Sequence, residues 1–186
     1  MYAHLLNVAK CLPLALFTLL PTGSLAGWIS RAGVSLPNSA NQKAIGSFGA
    51  SLIFVPDEDE LFKQWATPSE SVNVRTTDKV RVNEPISAFV VFGGCKADKE
   101  GNCSVVMRFR VVRPDGKVYV DSPPMDVWSG QPAPPGRSLE LSVAYLKLII
   151  EPKDQLGKYV ISAQVMDNNS GTVLQLSGPF NVVNAK

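Results

Sequence analysis

Apolar and polar side chains alternate with a period of two over much of the chain beyond residue 70. The alternation is clearest over residues 105–112 and 159–166. A period of two predicts strands that bury one face. Further segments of strand character lie at residues 71–75, 86–92, 117–120, 138–150, 172–176 and 180–183. About seven short strands separated by turn signals predict an all-β domain over residues 71–186.

Two motifs refine this prediction. Residues 113–116, Arg-Pro-Asp-Gly, predict a tight turn, because proline presets φ and glycine accepts positive φ. Asp154, Gly157 and Tyr159 are similar to a tyrosine corner, in which a glycine turn leads into a strand and the tyrosine hydroxyl bonds back to the preceding loop. The domain is therefore expected to be an immunoglobulin-like antiparallel β-sandwich.

A short strand and a helix are predicted before the sandwich, over residues 51–70. Asp57 is placed to cap the helix, and Glu60 to reach back to the cap as in a capping box. The helix carries an apolar stripe formed by Leu61, Phe62 and Trp65.

Residues 88–92, Ala-Phe-Val-Val-Phe, are apolar on both faces of their strand. Something must therefore cover the second face. The helix stripe is the favoured cover, which makes the strand and helix part of the domain, and a partner protein is the alternative.

The first 26 residues have the pattern of a signal peptide. Residues 11–20 form an apolar run that is too short to cross a bilayer core of about 30 Å as a helix. Small residues at Ser24 and Ala26 predict cleavage before Gly27. An uncleaved anchor is the alternative. Cleavage predicts a periplasmic or secreted protein without a transmembrane helix, and the polar residues 27–50 are expected to form a loosely ordered leader.

Cleavage would also remove His4, the only histidine of the chain. Without histidine, Ser-His-Asp and Cys-His catalysis and histidine metal sites are excluded. No cofactor, metal or catalytic residue is predicted, and the protein is expected not to be an enzyme. The net charge of +2 is too small to indicate a nucleic-acid partner.

Cys95 and Cys103 remain after cleavage and flank a short polar loop. In an exported chain this pattern predicts a structural disulfide. A redox role would call for a closer Cys-x-x-Cys spacing. A metal site at Asp98, Glu100 and Asn102 lacks the alternating acidic spacing of a calcium loop.

The proline-rich segment 122–136 is the strongest candidate for a binding surface. Its candidate contact residues are Met125, Trp128, Pro132, Pro134 and Pro135. A stiff, exposed loop presenting Trp128 would anchor a partner or stack on a sugar ring. The alternative, which we favour, is a crossover between the sheets that folds Trp128 onto the core as a lid.

Arg108, Arg110 and Arg113 form a row of basic side chains. A solvated sheet face is the default interpretation of such a row. An acidic partner or a lipid headgroup region is the alternative.

Several segments together resemble a group of small exported bacterial proteins of uncharacterised function. The segments are Gly94 to Cys103, Arg113 to Gly116 with Tyr119, Trp128 with Pro132 to Pro135, and Ile150 to Tyr159. The resemblance implies a periplasmic or secreted β-sandwich and carries over no catalytic residue.

We therefore expect a non-enzymatic interaction module that binds another envelope or extracellular protein. A carbohydrate-binding module is the alternative, using Trp128 and also Trp28 or Trp65.

Overall fold

A computed structural model describes residues 28–29, 34–67, 74–136 and 138–185. The predicted signal peptide and its cleavage site lie outside these residues. In chain order the elements are β1 (Trp28–Ile29), β2 (Ser35–Leu36), β3 (Gln42–Ile45), β4 (Phe48–Val55), α1 (Glu58–Ala66), β5 (Lys79–Arg81), β6 (Pro85–Gly93), β7 (Asn102–Val112), β8 (Val118–Asp121), β9 (Met125–Pro132), β10 (Glu140–Leu141), β11 (Leu146–Ile149), β12 (Gly157–Asp167) and β13 (Thr172–Val183).

The strands form two sheets packed face to face, with β1 and β2 as a separate ribbon. The first sheet contains β3, β4, β6, β10 and β11, and the second contains β5, β7, β8, β9, β12 and β13. Neighbouring strands in both sheets are antiparallel, except that β5 runs parallel to β13. The chain is thus an all-β, immunoglobulin-like sandwich, as the sequence predicts.

The core lies between the inner faces of the two sheets. Every second residue of β7, from Cys103 to Val111, is buried, and every second residue of β12, from Tyr159 to Val165, is buried opposite them. Phe54 of the first sheet meets Phe180 of the second edge to face, with ring centroids 6.3 Å apart. The period-two alternation of the sequence therefore corresponds to one buried face.

Helix α1 begins where the sequence predicts. The backbone N–H of Glu60 donates to the Asp57 carboxylate over 3.1 Å, which satisfies one of the free amides of the first turn. The Glu60 side chain does not complete a capping box. It accepts instead from Gln64, one turn along the helix, over 2.7 Å.

The apolar stripe of α1 covers the outer face of the first sheet, as predicted. Leu61 is buried in a second cluster with Phe89 and Val91 of β6. The Phe62 ring meets the Phe89 ring edge to face, with centroids 5.5 Å apart. Strand β6 is consequently buried on both faces.

The prediction of a loosely ordered leader over 27–50 differs from the structure. Residues 42–45 and 48–55 form the hairpin of β3 and β4 inside the first sheet. Phe48 and Ala50 point into the core and are almost fully buried. The hairpin is difficult to predict from sequence, because the side chains of the short polar strand β3 are only half-buried or exposed and show no alternation of apolar and polar residues.

The predicted irregular connection over 122–136 is also wrong. Strand β9 pairs with β7 through two register shifts. Prolines flank β9 at 123, 124, 134 and 135 and occupy only its last position, so they do not interrupt its ladder.

Strand β13 is continuous, although the sequence predicts two strands around Gly178 and Pro179. The neighbouring N–H groups of Ser177 and Asn181 point away from β12, toward the carbonyls of Ala40 and Asp78. Pro179 lies between them on the same side, where its missing N–H removes no bond to β12.

Two other strand predictions are only partly met. Val74 and Arg75 lie outside any strand, and residues 71–73 are not among the described residues. The predicted strand over 138–150 is divided into β10 and β11.

Candidate functional site

Cys95 and Cys103 form the predicted disulfide, with an S–S distance of 2.10 Å. Both cysteines are buried. The loop between them is held against the hairpin of β12 and β13, because the N–H of Lys96 donates to the buried Asp167 carboxylate over 2.9 Å. Asn169 donates to the carbonyls of Lys96 and Asn102 from the same hairpin. The loop that the disulfide closes is thus anchored to this hairpin.

The tyrosine-corner residues also have structural contacts. The Tyr159 hydroxyl donates to the carbonyl of Gln155 over 2.9 Å, which is the geometry expected from the sequence. Gly157 has a φ of 118°, where a side chain would strain the backbone. Asp154 accepts from the Tyr119 hydroxyl over 2.9 Å. Burial and the Asp154 carboxylate raise the pKa of Tyr119 to about 12.

Trp128 lies against the core. Its ring meets Phe92 edge to face, with centroids 5.9 Å apart, and its Nε1 donates to the carbonyl of Pro132 over 3.1 Å. Met125, the neighbouring candidate, is half-buried opposite Met107. The ring therefore lies on the core, as the lid interpretation expects, but it belongs to strand β9 of the second sheet and not to a crossover between the sheets.

The proline candidates form the outer rim of this segment. Pro132 and Pro135 are exposed and Pro134 is half-buried. The structure therefore separates the five candidates into two side chains packed on the core and three prolines beside them.

The outer face of the second sheet, here called the open face, is not covered by any described element. Cross-strand register arranges its side chains in rows across the sheet. One apolar row contains Val106, Met166 and Val173. A second, here called the valine–proline row, contains Val118, Val112, Val160 and Pro179 on four adjacent strands. Two polar rows lie between the two apolar rows: Arg108–Gln164–Gln175 and Asp121–Arg110–Ser162–Ser177.

Positive charge surrounds the valine–proline row. Arg110 lies one row away on one side, and Lys158 lies beyond the row on the other side, level with Lys79 of β5. Arg108 is neutralised by Asp121, with an N–O distance of 2.8 Å. Within the described residues, Arg110, Lys158 and Lys79 have no carboxylate at ion-pair distance. The free charge next to the valine–proline row is therefore positive. The open face also carries carboxylates, because Asp121 lies opposite Arg110 and the exposed Asp126 lies opposite Val106 in the other apolar row.

Arg113, the third arginine of the predicted basic row, has a different environment. It pairs with Asp115 in the turn after β7, over 3.0 Å. Its side chain is only partly exposed. The basic row of the sequence therefore reduces to Arg108 and Arg110 on the open face.

The outer face of the first sheet shows how this chain covers a similar surface. Glu58, in the acidic first turn of α1, accepts hydrogen bonds from Lys147 of β11 and Ser87 of β6. Burial alone would raise the pKa of Glu58, but the bonds from Lys147 and Ser87 outweigh it and hold that pKa below its usual value. Helix α1 is therefore held on the first sheet by its apolar stripe and by the ion pair between Glu58 and Lys147.

A cleft of about 530 Å³ opens at the seam between the sheets, between β13 and the segments 40–41 and 76–78. A Cβ on Gly178, one of the lining residues, would lie 2.9 Å from the Phe54 ring, so a larger residue there would force that ring to shift. Among the described lining residues, Asp78 is the one charged side chain.

Comparison with known proteins gives likeness of fold alone. No known family and no curated protein sequence matches the chain. An immunoglobulin-like protein from Pseudomonas aeruginosa is 16% identical, with 71% of this chain and 91% of that chain covered at a TM-score of 0.32. The CARDB domain of the PF1109 protein from Pyrococcus furiosus, solved with di-metal ions, is 18% identical, with 57% and 81% covered at a TM-score of 0.35. The C-terminal domain of Wzt is 11% identical, with 80% and 77% covered at a TM-score of 0.38.

Within the described residues, no helix has the length and apolar character needed to cross a membrane.

Sequence reasoning found Arg108 and Arg110 but missed the valine–proline row. The four residues of the row come from four strands and are separated by up to 67 positions, from Val112 to Pro179. Only the cross-strand register places them side by side. A usable signal was present in β12, where Val160 occupies an outward position beside Lys158.

Proposed function

We propose that this chain is an exported, non-enzymatic interaction module that binds another protein of the cell envelope or extracellular space through the open face. The observation that carries the proposal is the difference between the two outer faces. The apolar outer face of the first sheet is closed by α1, whereas the open face keeps two apolar rows and unpaired cations in contact with solvent. Contiguous apolar surface bordered by polar residues is typical of protein-binding sites.

Export is supported by two independent features. The sequence pattern of residues 1–26 is that of a cleaved signal peptide. A structural disulfide persists in an oxidising compartment such as the periplasm or the extracellular space.

The proposal that the protein is not an enzyme rests on the sequence. The only histidine lies within the predicted signal peptide. Without that histidine, the exported chain would lack the general base of Ser-His-Asp and Cys-His catalysis.

The tryptophans favour a protein partner over a carbohydrate. Sugar-binding platforms present aromatic rings flat to solvent. Here Trp28 donates to the carbonyl of Lys43 over 3.0 Å, Trp65 packs in the cluster beneath α1, and Trp128 packs on Phe92. All three side chains are half-buried, and we therefore give the protein partner precedence.

An affinity capture from envelope extract tests the proposal. The bait is the exported chain, compared with a variant in which Arg108, Arg110 and Lys158 are changed to serine. The matched control changes Lys63, Lys96 and Lys99 to serine, which removes the same charge from exposed positions elsewhere. We expect a protein that is captured by the wild type and the control but lost with the open-face variant. Equal capture by both variants would place the binding surface elsewhere.

A further inference from the structure

We infer that the partner element seated on the open face is an acidic amphipathic helix, lying across the strands on the valine–proline row. This inference rests on the proposed function, because it assigns the chemistry of the partner to the same face. Its starting point is the shape of the row. Val118, Val112, Val160 and Pro179 follow one another across β8, β7, β12 and β13.

The dimensions of the row suit one helix. Strands lie about 4.8 Å apart, so four strands give an apolar row about 14 Å long. This length corresponds to about ten helical residues, which is nearly three turns. The row is a single residue wide, so it matches the narrow apolar stripe of an amphipathic helix better than the broad apolar surface of a second sheet.

The charges define the flanks of that helix. Arg110 lies on one side of the row, and Lys158 and Lys79 lie on the other. None of these three cations has a carboxylate at ion-pair distance among the described residues, since Asp121, which lies opposite Arg110, is bonded to Arg108. A helix with glutamate or aspartate on both sides of its apolar stripe would therefore supply complementary charge.

The first sheet of the same chain provides a worked example of this arrangement. There α1 places Leu61 over an apolar face while its acidic residue Glu58 meets Lys147 at the border of the face. Arg110 and Lys158 occupy the corresponding border positions on the open face, which has no described helix. A second copy of this chain is a poor source of the cover, because its own α1 is already docked.

An anionic membrane would also be attracted by these cations, but the observations favour the helix. A membrane surface would be expected to contact a broad basic surface with protruding aromatic or aliphatic side chains. The valine–proline row contains no aromatic side chain and is bordered by three separate cations, not by a broad basic surface. Val118 and Pro179 are exposed, whereas Val112 and Val160 are only half-exposed.

The test measures binding of a synthetic helical peptide of about 14 residues, with leucines on one stripe and glutamates on both flanks. A second peptide carries lysine in place of every glutamate, and a third has the same composition in scrambled order. Binding to the exported chain is followed by NMR shifts of backbone amides. We expect the acidic peptide alone to bind, with shifts confined to strands β7, β8, β12 and β13.

Variants then locate the contact. Arg110→Ser with Lys158→Ser is expected to weaken binding by about three- to tenfold, since each exposed ion pair contributes modestly. The control Lys96→Ser with Lys99→Ser makes the same change of charge in the disulfide loop and should bind as the wild type does. Val160→Thr keeps the shape of the side chain and is expected to weaken binding about twofold or more.

Three results would overturn the inference. One is the absence of acidic-peptide binding at millimolar concentration, and another is equal binding of the scrambled peptide. The third is binding to phosphatidylglycerol vesicles that depends on Arg110 while the peptide does not bind, which would identify a membrane as the partner. If the affinity capture succeeds while the peptide fails, the proposed function stands and only the helical partner is wrong.

Discussion

Phe89 on the first sheet and Val160 on the second sheet both point away from the interior of the sandwich, but only Phe89 is buried. Phe89 is fully covered, because α1 and Tyr145 lie over it, and its ring stacks on Tyr145 with centroids 4.4 Å apart. Val160 remains half-exposed between Arg110 and Lys158 in a face that has no described cover.

The side chains at outward positions explain this difference. The covered face carries Phe89, Ile53 and Val91, whose exposure would leave a large apolar area in water. On the open face, valines alternate with arginine, glutamine and serine, so the area of each apolar row is small. The large aromatic side chains at outward positions of the first sheet are therefore buried beneath α1. The narrow apolar rows of the open face expose little apolar area, so they can remain in water and bind a partner.

The largest expected effect tests this comparison directly. Phe89→Ala should destabilise the domain by about 3 to 5 kcal/mol, because it opens a cavity beneath α1. Val160→Ala on the open face should cost less than about 1 kcal/mol, because its removal leaves no enclosed cavity. Urea denaturation of both variants measures the difference, and similar losses would show that the two faces are equally important to the fold.

A smaller loss is expected at the edge of the second sheet. Trp128→Ala should cost about 2 to 4 kcal/mol, since the half-buried ring contacts Phe92 and its Nε1 is hydrogen-bonded. Thermal unfolding gives the loss, and capture of the envelope partner gives the effect on binding. A variant of unchanged stability that loses the partner would move the binding surface from the open face to residues 125–135.

The sandwich could be predicted from sequence because its inner face alternates strictly. In β7 and β12, period-two burial of apolar residues leaves little choice of register. The hairpin of β3 and β4 could not be predicted in the same way, since Gln42 and Lys43 carry no apolar pattern and the strand is fixed by pairing with β4. Strand β9 was hidden by prolines that flank it.

The candidate site was predictable only in part. Arg108 and Arg110 share a strand, so sequence alone places them on one face. Their neighbours Val160 and Pro179 come from other strands, and no local pattern specifies which residues lie opposite one another. Trp128 was ambiguous for a different reason, because a tryptophan among prolines has the same local sequence whether it lies on the core or in solvent.

The contribution of the tyrosine corner to the free energy of unfolding can be measured at Tyr159, on the inner face of the second sheet. Tyr159→Phe should destabilise the domain by about 1 kcal/mol, because the Gln155 carbonyl loses its hydroxyl donor while the ring remains packed on Phe180. The denaturation midpoint measures this loss. An unchanged midpoint in Tyr159→Phe would mean that the corner bond adds nothing to the sandwich.

The smallest effect concerns the attachment of α1, and it depends on pH. The pKa of Glu58 is lowered in the folded protein, although burial opposes the shift, because Lys147 and Ser87 bond to the ionised form. Its contribution to stability is therefore fully present above the usual glutamate pKa of about 4.3 and is lost as the pH falls through the lower folded pKa.

Acid should consequently loosen α1 while the open face stays unchanged. The NMR signal of the Trp65 indole, followed from neutral pH to about pH 3, should report an increase of about two- to fourfold in undocked helix. Glu58→Gln should remove this acid-dependent step, whereas Asp59→Asn, an equal change of charge at the next position of the same turn, should retain it. If Asp59→Asn abolished the step as well, the general acidity of the first turn, and not the bond between Glu58 and Lys147, would hold the cover on the first sheet. Helix α1 would then be held by general attraction between its acidic first turn and the sheet. The comparison with the proposed acidic helix on the open face would no longer rest on a specific ion pair.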